Sequence, residues 1–174
     1  MVTTEKKEEN MRRFLFDKQP STSLTWLAML RMLVGLVVLT SWFSNLGKGF
    51  YTPDGLMNFF TNVFPQSENP LTWYAAFING VILPIRYIFA PFQMVAEFTL
   101  GLALLLGGFT RLFSLAGIFF LLNTLLATFG HDWPWSYLMP ITILAVVFMA
   151  RAGRAWGIDG LLLKRFGERG FLLW

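Results

Sequence analysis

Two ionisable side chains lie within long apolar segments of the sequence, Arg31 and Glu97. A charge at the centre of a bilayer costs roughly 2.5–3.5 kcal/mol on insertion scales, unless the charge is paired or hydrated. At about 1.5 Å per helical residue, Arg31 lies about 12 Å and Glu97 about 16 Å from the same membrane edge. We therefore expect these two side chains to form a direct or water-bridged pair.

Asn123 and Thr142 fall at a similar depth in later apolar segments, so they are expected to join the pair in one polar core. One interpretation of this group is structural, with a paired charge and hydrogen bonds that fix the helix register. Arg31 alone could also extend its guanidinium to the membrane interface. The other interpretation is a site for a quinone carbonyl, where Arg31 donates a hydrogen bond and Glu97 manages protons.

A second polar group is expected on the opposite membrane face, formed by Lys48, Arg86, His131 and Asp132. The histidine and aspartate are adjacent in the string GHDWPW, whose two tryptophans are typical of interfacial anchors. A histidine beside a carboxylate is either a solvated loop pair or a group that transfers protons or ligates one axial position.

The inventory of reactive side chains is small, because the chain has no cysteine and one histidine. Thiolate zinc sites, cysteine-ligated iron–sulfur clusters and disulfides are therefore excluded. We expect no metal site and no permanent cofactor, and the cofactor that stays open is an exchangeable quinone. The sequence does not decide whether the chain is an enzyme.

The composition identifies the environment in which these residues must work. Of 174 residues, 55% are hydrophobic and 14% charged, and the mean hydropathy is +0.55. Soluble domains are nearer 25% charged, so a soluble enzyme is excluded and the lipid bilayer is the expected partner. The net charge of +4 does not indicate nucleic acid, because the basic residues lie at the ends of apolar segments.

The apolar segments predict an all-α membrane protein built as a bundle of four transmembrane helices, with spans over residues 23–45, 92–109, 112–129 and 137–150. The second span could begin as early as residue 85. Residues 1–20 are expected to form a flexible cytoplasmic tail, residues 21–160 the membrane domain, and residues 161–174 a cytoplasmic amphipathic tail. Between the first two spans we expect an interfacial or re-entrant segment, since Pro84, Arg86 and Pro91 disfavour a clean fifth span over residues 71–91.

Basic residues support this count of spans. With four spans, eleven lysines and arginines fall on one face and only Lys48 and Arg86 on the other. The positive-inside rule then places both termini in the cytoplasm. A fifth span would divide the eleven between the two faces.

Several strings taken in order resemble the DoxX/DoxD-like membrane family: LRMLVGLVVLTSWFSNLGKGF, VAEFTLGLALLLGGFTRL, TLLATFGHD and ARAGRAWGIDG. The resemblance covers nearly everything after residue 23. It implies a four-helix bundle in a prokaryotic cytoplasmic membrane. The stretch from 50 to 90 looks more like the DoxD-like branch, which is similar to the membrane subunit of thiosulfate:quinone oxidoreductase.

Two functions are therefore expected to compete. The first is a quinone-reactive subunit linked to respiratory electron transfer. The second is a non-catalytic accessory subunit that stabilises a larger respiratory or photosynthetic membrane complex, together with other membrane subunits. A transporter is disfavoured, because the sequence has no inverted repeat or pair of broken helices.

The predicted topology can be tested with reporter fusions. A reporter placed after Trp174 should lie on the cytoplasmic side, and one inserted within residues 54–68 should lie on the opposite side, because the basic residues favour that orientation. Alkaline phosphatase and green fluorescent protein report the two sides. Two reporters on the same side would contradict the topology.

Overall fold

The computed structural model describes residues 23–167. The expected tail at residues 1–20 lies outside that range, and so do residues 168–174 of the tail expected at 161–174, whose first residues belong to the last helix. Most of the described chain is helical. In chain order the α-helices are α1 (Leu24–Gly47), α2 (Pro53–Asn58), α3 (Thr72–Phe77), α4 (Arg86–Leu106), α5 (Thr110–Ala127), α6 (Trp135–Ala150) and α7 (Ile158–Phe166). Helices α2 and α3 continue into π-helical turns over Phe59–Val63 and Ile78–Ile82, and 3-10 turns cover Gln66–Glu68 and Ala152–Arg154.

Three of these helices, α1, α4 and α5, are long and apolar enough to cross a membrane. The chain is thus a helical membrane protein. Helix α6 is equally apolar but has 16 residues, which gives about 24 Å against a hydrocarbon core of about 30 Å. The second expected span begins at Arg86, so Pro91 lies inside α4 rather than before it.

The helix ends follow local sequence signals. Ser23 is the N-cap of α1, where its hydroxyl accepts a hydrogen bond from the Thr25 amide. Helix α4 ends at Gly107, which has a φ of 66° in the left-handed region that favours glycine. The turn that follows is short, so α5 begins at Thr110 and runs back along α4.

The four long helices close into a ring, in which α1 packs against α4 and α6, and α5 packs against α6 and α4. The contact between α1 and α4 is the closest. A Cβ atom built on Gly35 would lie 2.6 Å from the Leu105 backbone nitrogen and 3.0 Å from the Gly101 carbonyl oxygen. Only glycine allows the two backbones to approach so closely at this position.

The bundle has two ends that differ in what covers them. The chain between α1 and α4, here called the cap segment (residues 48–85), folds over the end where α1 finishes. Its buried side chains form a cluster with Ala90 of α4 and Ala127 of α5. We call this the cap end, and the opposite end, where α4 turns into α5, the Gly107 end.

Within the described residues, the cap segment contains no helix long enough to cross a membrane. Its two longest helical stretches are α2 and α3, each with the turn that follows, over residues 53–63 and 72–82. Each has 11 residues, or about 16 Å, and the second leads into α4. Tyr74 in this stretch donates a hydrogen bond to the Asn123 side chain of α5 at 2.9 Å. The expectation that residues 71–84 are not an independent span agrees with these lengths.

The α1–α4 contact gives a direct test of the packing. Replacing Gly35 with alanine should lower the free energy of unfolding in detergent micelles by about 1–3 kcal/mol, because the new methyl group meets backbone atoms that cannot move independently. Gly47→Ala is the matched control, since it lies in the same helix and a Cβ there meets nothing within 4 Å. Equal stability of the two variants would contradict the close approach.

Candidate functional site

At the Gly107 end, the Arg31 side chain is completely buried and its guanidinium binds backbone carbonyl groups. One terminal nitrogen, Nη1, donates to the carbonyls of Ala152 at 2.8 Å and Ala155 at 3.2 Å. The other, Nη2, donates to the carbonyl of Trp156 at 3.0 Å. All three acceptors belong to the segment between α6 and α7, residues 151–157, which we call the link. Arg31 therefore ties the link to α1.

The link can offer these carbonyls because its backbone turns sharply. Arg151 and Trp156 have positive φ values of 52° and 49°, on either side of the 3-10 turn. Glycines make room for the guanidinium: a Cβ on Gly107 would lie 2.5 Å from Arg31 Nη1, and one on Gly157 would lie 2.9 Å from it. Alanine at either position would displace the Arg31 head group.

Asp159, in the first turn of α7, holds the same region from the other side. Its carboxylate accepts hydrogen bonds from the backbone amides of Phe109 at 2.6 Å and Thr110 at 2.9 Å. Its own amide donates to the Gly107 carbonyl at 2.9 Å. Asp159 therefore caps the N-terminus of α5 and fastens α7 to the α4–α5 turn. We call Arg31, Asp159 and their backbone partners the link cluster.

The expected pair between Arg31 and Glu97 is wrong. The Arg31 head group lies against Gly107, whereas Glu97 lies ten residues earlier in the same helix, which corresponds to about 15 Å. The charge of each residue lies at the end of its side chain and not at its Cα atom. An extended arginine side chain moves its charge toward the helix end, and here that displacement removes it from Glu97.

Glu97 instead binds Tyr51 of the cap segment. The Tyr51 hydroxyl donates to the Glu97 carboxylate at 2.8 Å, and both residues are buried. The Asn45 amide lies close enough to act on both groups. Burial and the neighbouring carboxyl raise the pKa of Tyr51 above its ordinary value, so the hydroxyl keeps its proton and remains the donor at neutral pH.

The indole of Trp42, in α1, lies beside this pair and binds α1 to α4. Its Nε1 donates to the Met94 carbonyl of α4 at 2.9 Å, and its ring lies 6.3 Å from that of Tyr51. The Tyr51–Glu97 pair can hold or pass one proton between a phenol and a carboxyl group. No second acidic side chain is in contact with it among the contacts described for residues 23–167.

Asn123 and Thr142 do not join either charge, so the single polar core is a second correction. The Asn123 amide donates to the Phe119 carbonyl within α5, and its side-chain oxygen accepts from Tyr74 of α3. Thr142 is exposed on the outer face of α6, where its hydroxyl donates to the Leu138 carbonyl one turn earlier. Similar depth along the membrane normal does not place residues on facing sides of their helices.

The four candidates for the opposite face also have separate partners. Lys48 and His131 are exposed, and His131 lies edge-on to the Phe64 ring at 5.9 Å. Arg86 donates to the Leu83 carbonyl and stacks over Tyr87. Asp132 accepts from the Tyr137 hydroxyl at 2.6 Å and from the Trp133 amide at 2.8 Å. The described contacts do not link these side chains into one site.

Two groups in these contacts were not among the candidate site residues expected from the sequence, the pair Gln66 and Asn69 and the single residue Asp159. Gln66 donates to the Ala127 carbonyl and Asn69 to the Leu126 carbonyl, which fastens the cap segment to the end of α5. Asp159 carried a usable signal, because it is the only acidic residue between Trp133 and Gly167 and lies among basic and apolar residues. For Gln66 and Asn69 no comparable signal exists, since polar residues are common in loops.

Comparisons with known proteins add no assignment to these clusters. No protein-family model, no curated protein and no solved structure matches the chain. In the part of the chain that the structure describes, no three or more histidine, cysteine, aspartate or glutamate side chains lie together as metal ligands.

Double-mutant cycles test whether the link cluster and the Tyr51–Glu97 pair are energetically independent. Arg31→Gln and Glu97→Gln should each destabilise the protein, and their effects on the free energy of unfolding should add within about 0.5 kcal/mol, because the groups are well separated. Tyr51→Phe and Glu97→Gln should deviate from additivity by about 0.5–3 kcal/mol, since they remove two ends of one hydrogen bond. Strong coupling in the first cycle would restore the pair expected from the sequence.

Proposed function

We propose that the chain is an accessory subunit of a larger membrane complex, of the DoxX/DoxD-like kind, which stabilises its partners without catalysing a reaction. The observation that carries this proposal is the set of hydrogen bonds that the Arg31 guanidinium makes. Both of its terminal nitrogens donate to backbone carbonyls of the same chain, so the most deeply buried cation serves the fold.

We propose further that four helices, α1, α4, α5 and α6, span the membrane. Helix α6 has completely buried side chains at Leu144 and Val147 and packs between α1 and α5, so it belongs to the same bundle as the three longer helices. Its 16 residues are followed at once by the link, which lies at the Gly107 end. A short span with polar links on either side fits a bilayer that thins locally.

The distribution of charge supports cytoplasmic termini, and the resemblance to the DoxX/DoxD-like family implies a prokaryotic cytoplasmic membrane. Of the eight basic residues between 23 and 167, six lie at the Gly107 end or just beyond it: Arg31, Arg111, Arg151, Arg154, Lys164 and Arg165. Of the five acidic residues in the same range, only Asp159 lies there. The positive-inside rule assigns such an end to the cytoplasm.

The outer surface of the bundle suits an accessory role. Large apolar side chains point away from every long helix, among them Ile88 (75% exposed), Phe119 (71%) and Met149 (79%). In a membrane these surfaces contact lipid tails or the helices of other subunits, where close packing supplies the stabilisation. The two charged candidates within the long helices, Arg31 and Glu97, are buried.

A quinone-reactive subunit linked to respiratory electron transfer remains the second candidate, favoured by the Tyr51–Glu97 pair. A phenol and a carboxyl group at 2.8 Å could exchange a proton with a bound quinone. In that case the exchangeable quinone would be the cofactor, and the cap segment would cover its site.

Turnover measured per assembled complex distinguishes the two functions. The complex should be isolated from native membranes with wild-type chain, with Glu97→Gln, and with Asp54→Asn as an exposed acidic control in the cap segment. An accessory subunit predicts less assembled complex for Glu97→Gln but unchanged quinone reduction per complex. If Glu97→Gln lowers quinone reduction per complex by about 100-fold or more while assembly is complete, Glu97 is a proton-transfer group and the proposal is overturned.

A further inference from the structure

Helix α7 exposes apolar and basic side chains side by side. Leu161 is 66% and Phe166 51% exposed, and Trp156, just before the helix, is 62% exposed. Lys164 and Arg165 are exposed in the same helix, and the Arg165 guanidinium lies 5.5 Å from the centre of the Phe166 ring. This combination of aromatic, aliphatic and basic residues is typical of helices that lie at a membrane surface.

From this arrangement we infer that α7 is a lipid-binding helix, which inserts Trp156, Leu161 and Phe166 among the headgroups and binds anionic phospholipids through Lys164 and Arg165. The ligand is the phosphate-bearing headgroup of an acidic lipid such as phosphatidylglycerol. The inference does not depend on the proposed accessory function, because it requires only that the bundle spans a membrane.

The link cluster determines where α7 can lie. Asp159 fastens its first turn to the α4–α5 turn, and Arg31 holds the preceding carbonyls of Ala155 and Trp156. Since α4 and α5 are both candidate spans, the turn between them marks one membrane boundary. A helix fixed at that turn, with apolar residues exposed, is therefore held at the level of the headgroups rather than in bulk water.

Charge complementarity favours an acidic leaflet over an apolar protein partner. The Gly107 end carries six basic residues and one acidic residue, and that aspartate is buried and bound to backbone amides. Each lysine or arginine near an anionic bilayer surface strengthens binding roughly fivefold. The side chains of α7 thus add a specific attraction to the hydrophobic contact, which a neutral protein surface would not use.

The position of α7 can be measured in the full chain, because the chain has no cysteine and a single introduced thiol is unique. A spin label at Leu161→Cys should be examined in nanodiscs of phosphatidylcholine mixed with phosphatidylglycerol. We expect frequent collision with oxygen, which dissolves in lipid, and little with a water-soluble nickel chelate. Ser67→Cys, an exposed position in the cap segment, serves as the water-facing control.

The charge component is tested by lipid retention. Native mass spectrometry of protein released from the mixed nanodiscs should show phosphatidylglycerol retained in preference to phosphatidylcholine. The double variant Lys164→Gln and Arg165→Gln should lower that preference by about tenfold or more. Lys48→Gln, which removes an exposed positive charge at the cap end, should leave it unchanged.

Three results would overturn the inference. A label at Leu161→Cys that collides mainly with the nickel chelate would place α7 in water. A label shielded from both reagents would show that α7 packs against a second copy of the protein. Insertion without any preference for phosphatidylglycerol would show that α7 lies in the membrane but does not bind anionic headgroups.

Discussion

The fold depends on the need to provide acceptors for one buried cation. Arg31 lies on the buried face of α1, and removing its guanidinium from water is costly unless its donors are bound. The link after α6 supplies three carbonyls, and two glycines leave the space that the head group occupies. This requirement fixes the path of the link, and the link in turn fixes the start of α7. Asp159 then joins α7 to the turn between α4 and α5, so one buried charge brings together elements from both ends of the chain.

At the cap end, too, a buried charged residue determines where a segment lies, but there the residue is Glu97 and its partner is a tyrosine hydroxyl. Glu97 interrupts the apolar face of α4, and the cap segment brings the Tyr51 hydroxyl to it. Gln66 and Tyr74 add hydrogen bonds to α5, so polar groups hold the cap segment as well as its apolar cluster does. In a membrane protein such bonds matter because helices have no hydrophobic force to press them together within lipid. Each buried charge therefore determines where one non-spanning segment lies.

The helices were largely predictable and the partners of the charges were not. Apolar runs and their Ser, Gly and Pro boundaries predicted the helices now seen as α1, α4, α5 and α6, because those signals are local. The Arg31–Glu97 expectation failed because depth along a helix ignores side-chain length and helix rotation. The prediction for Thr142 failed because of helix rotation alone, since Thr142 lies on the outer face of α6. The Tyr51–Glu97 bond joins residues 46 positions apart through an irregular segment, and no periodic pattern encodes that path.

Arg31 holds the link and, through it, the α4–α5 turn. Hydrogen exchange followed by mass spectrometry in nanodiscs tests this claim most directly, by comparing the wild-type chain with Arg31→Gln. We expect faster exchange at residues 152–160 and at residues 107–110, which are distant in sequence from the substitution, and unchanged exchange in the cap segment. A change confined to the neighbours of residue 31 in α1, with the link and the turn as protected as before, would contradict the claim.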